Sequence, residues 1–463
     1  MSSRTRALTP VLAATAVAAL VYAVRRTTVP RRRHASQSAE SWEQSRNKIL
    51  ILGGGFGGIA TALALDRQLR GDPDASVLLV DRGNAQLFVP LLWTVADGRA
   101  SAAHVMVPIR SYQRGRAFHV LHAEVQHIDL DRRVVVTSAG ERAYDRLVIA
   151  LGSVTTVPEK IPGASEHAHV FRTPADAMEL RNRIIDALEG AHQTDSAEDR
   201  SAWLTFVVIG GGDTGTELAA TIYDFVRQAI QKEYPWLVDA AVCVTVIEAL
   251  DRLVPLSSEM VSRRVRKSLE RRGIVVRTGA GVDRIDDGAV YAGGSTIPTH
   301  TVFWSAGIAP PQLVRDIEAD HAKNGALLVD ERLRVRPRHE VYAIGDNAWA
   351  VDSVTGNPIP ALAQAAEREA HHVARAIVAD LHGTSSKPFR FNKLGQMTLL
   401  GNYDAVVEIG PVTISGPVAW FAWHAYYALH VGSWRTRILL VTGWLMAALL
   451  GRETSEIPLN VTK

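Results

Sequence analysis

Two copies of one pattern lie 157 residues apart in this 463-residue chain: a strand running into GxGxxG, then a helix, a second strand and a terminal acid. An apolar, tryptophan-rich stretch closes the sequence. Together these predict an α/β fold with two Rossmann-like dinucleotide-binding domains and a C-terminal membrane-associating α+β segment. The length agrees, at roughly 100–200 residues per domain. With 47% hydrophobic and 21% charged residues the chain is a folded protein. Its one cysteine, Cys243, excludes an internal disulfide framework, a redox-active cysteine pair and a cysteine-based zinc or iron–sulfur site.

The head of the chain carries the basic charge. Residues 1–46 hold eight arginines and two acids, while the chain as a whole is +3, so the body is slightly acidic. That argues against a nucleic-acid face. Residues 8–24 are uncharged and rich in Ala, Val and Leu. They are at the short end for a bilayer span, which needs about 17–25 residues. The heavier basic flank, Arg25, Arg26 and Arg31 to Arg33, follows this stretch and would keep the body cytoplasmic. A cleaved targeting segment, mitochondrial or secretory, and an unstructured apolar head are the competing readings. Residues 25–46 read as a polar linker.

The first fingerprint follows the strand 48–52 and reads Gly53, Gly54, Gly55, Phe56, Gly57, Gly58. Gly53 allows the tight turn, Gly55 the approach of a pyrophosphate, and Gly58 close helix–strand packing. The strand 77–80 then ends in Asp81, placed for ribose hydroxyls. The second copy reads Gly210, Gly211, Gly212, Asp213, Thr214, Gly215, and its returning strand ends in Glu248. An acid there favours a free 2′-hydroxyl, hence NADH over NADPH. The economical pairing is FAD on the first copy and a nicotinamide nucleotide on the second.

Further segments carry a family resemblance. They are 87–96 (LFVPLLWTVA), 144–152 (YDRLVIALG), 217–219 (ELA), 303–307 (FWSAG), 341–346 (VYAIGD) and Ala363-Gln364. In this order they resemble the two-dinucleotide-binding flavoproteins and, within them, type II NADH dehydrogenases, the single-subunit NADH:quinone oxidoreductases. The resemblance covers about residues 46–452. The missing cysteines separate the chain from the disulfide reductases and sulfide:quinone reductases of the same superfamily.

The resemblance implies non-covalent FAD along 53–58, Phe56 and Gly57 included. Asp81 and Arg82 would lie at the adenosine ribose, Val125 at the adenine, and Ala150 and Gly152 at a strand end beside the cofactor. Asp346 would reach the ribityl and phosphate groups, or cap a helix. NADH would lie on Gly210, Gly212 and Gly215, with Glu248, Ala306 and Gly307 beside it. Glu217 would sit by the nicotinamide, or simply favour a helix dipole. The family's Ala-Gln-x-Ala-x-Gln-x-Gly run at the quinone site keeps Gln364, which would also touch the flavin. Its second Gln is Arg368 here and its Gly is Ala370. Arg368 would bond a quinone carbonyl or pair with Glu367 or Glu369. A family lysine is displaced by one place, to Lys393.

In 418–450, Trp420, Trp423, Trp434 and Trp444 interleave with aliphatic residues and arginines. No run reaches 18 clean apolar residues, so these helices suit a monotopic anchor lying on the bilayer surface. Packing on the protein's own core or on a homodimer partner is the alternative use of the same faces. His371 and His372, like His424 and His430, have the wrong spacing for joint ligation, and no metal site is expected. Residues 196–200 read as a solvated loop.

The domains expected are a head and linker (1–46), an FAD-binding domain in two parts (47–165 and 325–385), an NADH-binding domain (166–324) and a C-terminal membrane-associating region (386–463). The implied reaction is hydride transfer from NADH to FAD, then two electrons to a membrane quinone without proton pumping. The site would be the cytoplasmic face of the cell membrane or the mitochondrial inner membrane. The alternatives are a reductase of a soluble electron-transfer partner and an NADH-sensing protein resembling apoptosis-inducing factor.

Overall fold

The computed structural model describes residue 42 and residues 44–456. The apolar stretch 8–24 lies outside the described residues. At the end of the expected polar linker, Trp42 is buried in the first domain's core, so the chain is already docked before its first strand.

The first sheet has five parallel strands in the order Val341–Ala343, Arg146–Ile149, Asn47–Leu52, Ala75–Asp81, His119–His122. The second repeats it with Ala168–Val170, Thr301–Trp304, Thr205–Ile209, Cys243–Glu248 and Val275–Thr278. Both centres are near-continuous apolar runs because helices or connections cover both faces of a parallel sheet. In each sheet the glycine-rich strand is central, and the chain leaves it on one side and returns on the other. This is the switch point where such folds open a crevice. Each sheet receives its own antiparallel meander, Val125–Asp129 to Gly140–Ala143 before the strand Arg146–Ile149 and Val282–Asp286 to Ser295–Pro298 before Thr301–Trp304. The duplication therefore extends beyond the fingerprints.

Helix α1 (Phe56–Gln68) follows the first glycine turn. Helix α2 (Pro174–Gln193) enters the second half through a capping box of Thr173 and Asp176. The stretch 196–200, expected as a loop, instead begins a short helix, Ala197–Trp203. The Ser196 hydroxyl accepts from the Asp199 amide and supplies the cap that makes the turn helical. Helix α3 (Asp213–Lys232) follows the second glycine turn, and α4 (Ala363–Leu381) packs along α1. A three-stranded antiparallel sheet (Gln396–Leu399, Ala405–Ile409, Val412–Ser415) leads into α5 (Pro417–His430) and α6 (Trp434–Leu450). Leu399, Val406, Trp423 and Leu440 share one core with α2, α3 and the 88–107 segment, so the C-terminal region is fastened to the second half. Polar contacts add to this: Arg272 pairs with Asp224 at 2.6 Å and donates to the Asn402 carbonyl at 3.1 Å, and the Asn402 amide donates to Asp224 Oδ2 at 2.5 Å. Among the described residues no helix is long and apolar enough to cross a membrane.

Candidate active site

The two glycine turns share one backbone build. Gly53 (φ +104°) and Gly210 (φ +108°) adopt the left-handed region that L side chains avoid. A Cβ on Gly58 would stand 1.8 Å from the Gly53 carbonyl oxygen, and one on Gly215 at the same distance from that of Gly210. By contrast, a Cβ on Gly55 or Gly212 would meet no atom within 4 Å. Both are N-caps without a side-chain cap. An opening is thus left beside the first turn of α1 and of α3, at the positive end of each helix.

The terminal acids close each turn from below. Asp81 Oδ2 accepts from the Gly54 amide at 2.5 Å and Oδ1 from Gly83 at 2.6 Å. Glu248 Oε2 accepts from Gly211 at 2.6 Å and Oε1 from Leu250 at 2.8 Å. Each oxygen keeps a second lone pair for a further donor. Around the first turn, the Ala123 amide bonds the Asp81 carbonyl and so sets Val125 beside that strand end. The Arg82 carbonyl meets His122 Nε2 at 2.8 Å. Ala150 lies over Gly53, and the Gly152 amide donates to Asn347 Oδ1 at 2.9 Å. Around the second, Ala306 packs over Gly210, its carbonyl accepts from the Trp304 indole at 2.5 Å, and the Gly307 carbonyl accepts from the Thr156 amide.

Asp346 lies inside the turn Gly345–Asn347 rather than at its cap, which is Ile344. Its Oδ2 accepts from the Ser153 hydroxyl at 2.5 Å, and Arg172 stands 3.4 Å away. Sequence reasoning passed over the residue beneath it. Glu369, on α4, is 2% exposed and accepts from the Gly345 amide at 2.6 Å. Burial, with Asp346 adding, pushes its carboxyl up to about 7. Its only sequence signal is an acid on the apolar face of a helix. Ser153 and Asn347 were likewise missed, although each adjoins a residue already singled out.

Glu217 lies on α3 one turn beyond the glycine turn, and its Oε1 accepts from the Leu399 amide at 3.0 Å. Burial raises its carboxyl well above the ordinary value, and Asp213 adds to the shift. Tyr427 of α5 is within electrostatic reach of Glu217. A run of rings joins this region to the first turn: Phe56 to Phe88 at 5.2 Å, Phe88 to Tyr427 at 5.9 Å, and Tyr427 to Trp423 at 4.3 Å.

On α4, Gln364 donates to the Gly395 carbonyl at 2.8 Å and accepts from the Leu394 amide at 3.2 Å. Arg368 donates to the Asn392 carbonyl and lies over the Phe391 ring. It thus binds the 391–395 segment rather than either neighbouring glutamate. Lys393 donates to the Leu256 carbonyl at 2.9 Å and to Gln396 Oε1 at 2.6 Å. Cys243 is half-buried at a strand start, with its sulfur 3.7 Å from the Thr245 hydroxyl.

A family model described as pyridine nucleotide-disulphide oxidoreductase matches residues 47–370, and one described as NDH2 C-terminal domain matches residues 394–453. Type II NADH:quinone oxidoreductase Ndh of Mycobacterium tuberculosis is 30% identical over 427 residues, covering 88% of this chain and 89% of the relative. The internal alternative NAD(P)H-ubiquinone oxidoreductase A1, mitochondrial, of Arabidopsis thaliana is 28% identical over 453 residues, covering 90% and 87%. The solved structure of NDH2 from Plasmodium falciparum in complex with NADH superposes with a TM-score of 0.79 at 21% identity, covering 89% of this chain and all of that one, and shows the same fold. With two nucleotide turns of one build and a single cysteine, the chain belongs to the pyridine nucleotide-disulphide oxidoreductases and, among them, to the type II NADH:quinone oxidoreductases.

Proposed function

We infer that this NADH:quinone oxidoreductase holds FAD on the turn 53–58 and NADH on the turn 210–215, and works on a membrane surface. The observation that carries this reading is the pair of open cradles at Gly55 and Gly212, each floored by a carboxylate that retains lone pairs for ribose. The residues fit both groups. FAD bound there supplies the two-electron carrier between nicotinamide and quinone. The protein's part is positioning, which accounts for most of the rate in a hydride transfer between bound partners. Gly55 and Gly212 admit the pyrophosphates, while Asp81 and Glu248 orient the riboses. Glu248 also disfavours a 2′-phosphate, which supports NADH as the nucleotide. Glu217, whose carboxyl burial raises well above the ordinary value, lies beside the nicotinamide end of α3. Phe56, Phe88 and Tyr427 wall the space with rings and exclude water. Gln364 and Arg368 shape the 391–395 segment on the quinone side.

The outer faces of α5 and α6 leave Val418, Phe421, Leu429, Trp434, Leu445 and Leu449 exposed, each more than half. Arg435 adjoins them. This supports a helix pair lying in the headgroup region, with quinone entering from that side. A second copy covering the same faces is the competing occupant. The basic flank after residue 24 favours the cytoplasmic side of the cell membrane.

The test is stopped-flow reduction of the purified flavoprotein by NADH, followed by reoxidation with menaquinone and ubiquinone analogues. Fast reduction and fast reoxidation by quinone support the reading. A long-lived reduced flavin, reoxidised only by a soluble protein partner, refutes it. Flotation with lipid vesicles, read beside the mass in solution without lipid, separates bilayer binding from pairing.

A further inference from the structure

We propose that the C-terminal sheet tunes NADH affinity by holding the Asp213 carboxylate away from the pyrophosphate cradle, so that Gln396 and Thr398 are positioning residues for NADH. The proposal rests on NADH occupying the 210–215 turn.

The two glycine turns share four glycines and differ at two positions, one of them Gly57 against Thr214. The residue after the open glycine is Phe56 in the first turn and Asp213 in the second. An acid at the first position of α3 is stabilised by the helix end. For the same reason it competes with a pyrophosphate for the same amides, and its charge repels the ligand. Left to itself, Asp213 should weaken the site it borders.

The structure shows where that charge goes. Asp213 Oδ2 accepts from Gln396 Nε2 at 2.6 Å, and Oδ1 accepts from the Thr398 hydroxyl at 2.7 Å. Both donors come from one strand of the C-terminal sheet, some 180 residues away in sequence. The Gln396 amide cannot simply turn over, because its Oε1 accepts from Lys393 Nζ at 2.6 Å. Lys393 is itself anchored to the Leu256 carbonyl at 2.9 Å. A cation, an amide and a carboxylate are thus linked in series, drawing the negative charge toward the sheet and away from Gly212. One turn further along α3, the same strand bonds Glu217 through the Leu399 amide. Gly212 itself keeps open space over the α3 amides, as the cradle requires.

The experiment uses the full-length holoenzyme. Gln396→Leu with Thr398→Val should raise both KM and Kd for NADH about tenfold, the loss expected from freeing a charged acceptor's donors. The rate at saturating NADH should change little, because the contact acts before the hydride moves. Asp213→Asn in that background should restore the affinity, since the charge to be held is gone. Gln396→Glu, which keeps size and shape, should raise KM at least as much and serves should the double variant fold poorly. Flavin content and melting midpoint are read for each. Wild-type KM in both the double variant and Gln396→Glu overturns the proposal. So does a loss of affinity that Asp213→Asn leaves in place, which would mark a purely structural role. Gly212→Val separates this from failure of the underlying reading: unchanged NADH affinity in that variant would mean that NADH does not use this turn.

Discussion

Gly55 and Gly58 stand three residues apart in one turn, yet their substitution should do opposite things. Gly55 has extended backbone (φ −79°, ψ −165°), open to any residue, and its Cβ direction is empty. Gly55→Val should therefore cost the apoprotein no more than about 1 kcal/mol, the loss of a favourable N-cap. The isopropyl group would fill the cradle over the first amides of α1. Two charge-assisted bonds to a phosphate, at roughly 1.5–3 kcal/mol each, would be lost. That is roughly a hundred- to ten-thousand-fold in FAD affinity. Gly58→Ala meets the Gly53 carbonyl oxygen at 1.8 Å and its carbon at 3.0 Å, both backbone atoms. The helix must retreat from its own strand, at about 1–3 kcal/mol or more for overpacking of this kind. The assay reads flavin-to-protein absorbance, FAD titration of the apoprotein, and melting midpoints compared between apo forms. The last choice matters because bound FAD stabilises whatever binds it. Gly55→Val should be colourless, folded and near wild type in apo stability; Gly58→Ala should be colourless and destabilised. A well-folded Gly55→Val protein that keeps its full complement of flavin would falsify the assignment of the first turn.

Glu248→Ala should narrow the gap between NADH and NADPH mainly through KM, and wild-type enzyme that uses both equally would overturn the role given to Glu248. Arg368→Ala frees the Asn392 carbonyl and should slow quinone-dependent reoxidation while leaving reduction by NADH near normal, with Arg368→Gln intermediate; equal slowing of both half-reactions would contradict a role on the quinone side. Glu369 has a folded pKa of about 7 against an ordinary 4.5, so it binds more protons folded than unfolded, and its stabilisation is complete below about pH 4.5 and lost as pH rises through 7. Apoprotein stability should thus fall by about 2.5 kcal/mol more in wild type than in Glu369→Gln between pH 5 and 8, and parallel melting curves would refute it.

The nucleotide turns were legible because backbone geometry there tolerates few residue types. Gly53 needs a positive φ, and Gly58 cannot carry a Cβ. Such demands write themselves into the sequence, and so do the buried parallel strands, as in Thr205–Ile209. Residues 196–200 were misread because charge density suggested solvent, whereas Ser196 caps a helix whose polar face bears that charge. Glu369 and Asp213 were illegible for another reason. Each is explained only by a partner distant in sequence, the Gly345 amide for one and Gln396 with Thr398 for the other. No local pattern announces such a pairing.

The proposed quinone side shows the same limit in a sharper form. Gln364 and Arg368 were expected to face the acceptor, yet both spend hydrogen bonds on the backbone of the 391–395 segment. A backbone carbonyl such as that of Asn392 accepts from any donor that reaches it. An amide or a guanidinium can therefore hold that segment from position 368, and the identity of the side chain is weakly constrained. What must persist is the shape of the segment between α4 and the C-terminal sheet. That shape is also maintained by Lys393, whose displacement by one residue lets it reach Leu256 and Gln396. The departures at 368, 370 and 393 thus fall near backbone that side chains support, whereas Gly53 and Gly58 are fixed by the geometry of the backbone itself.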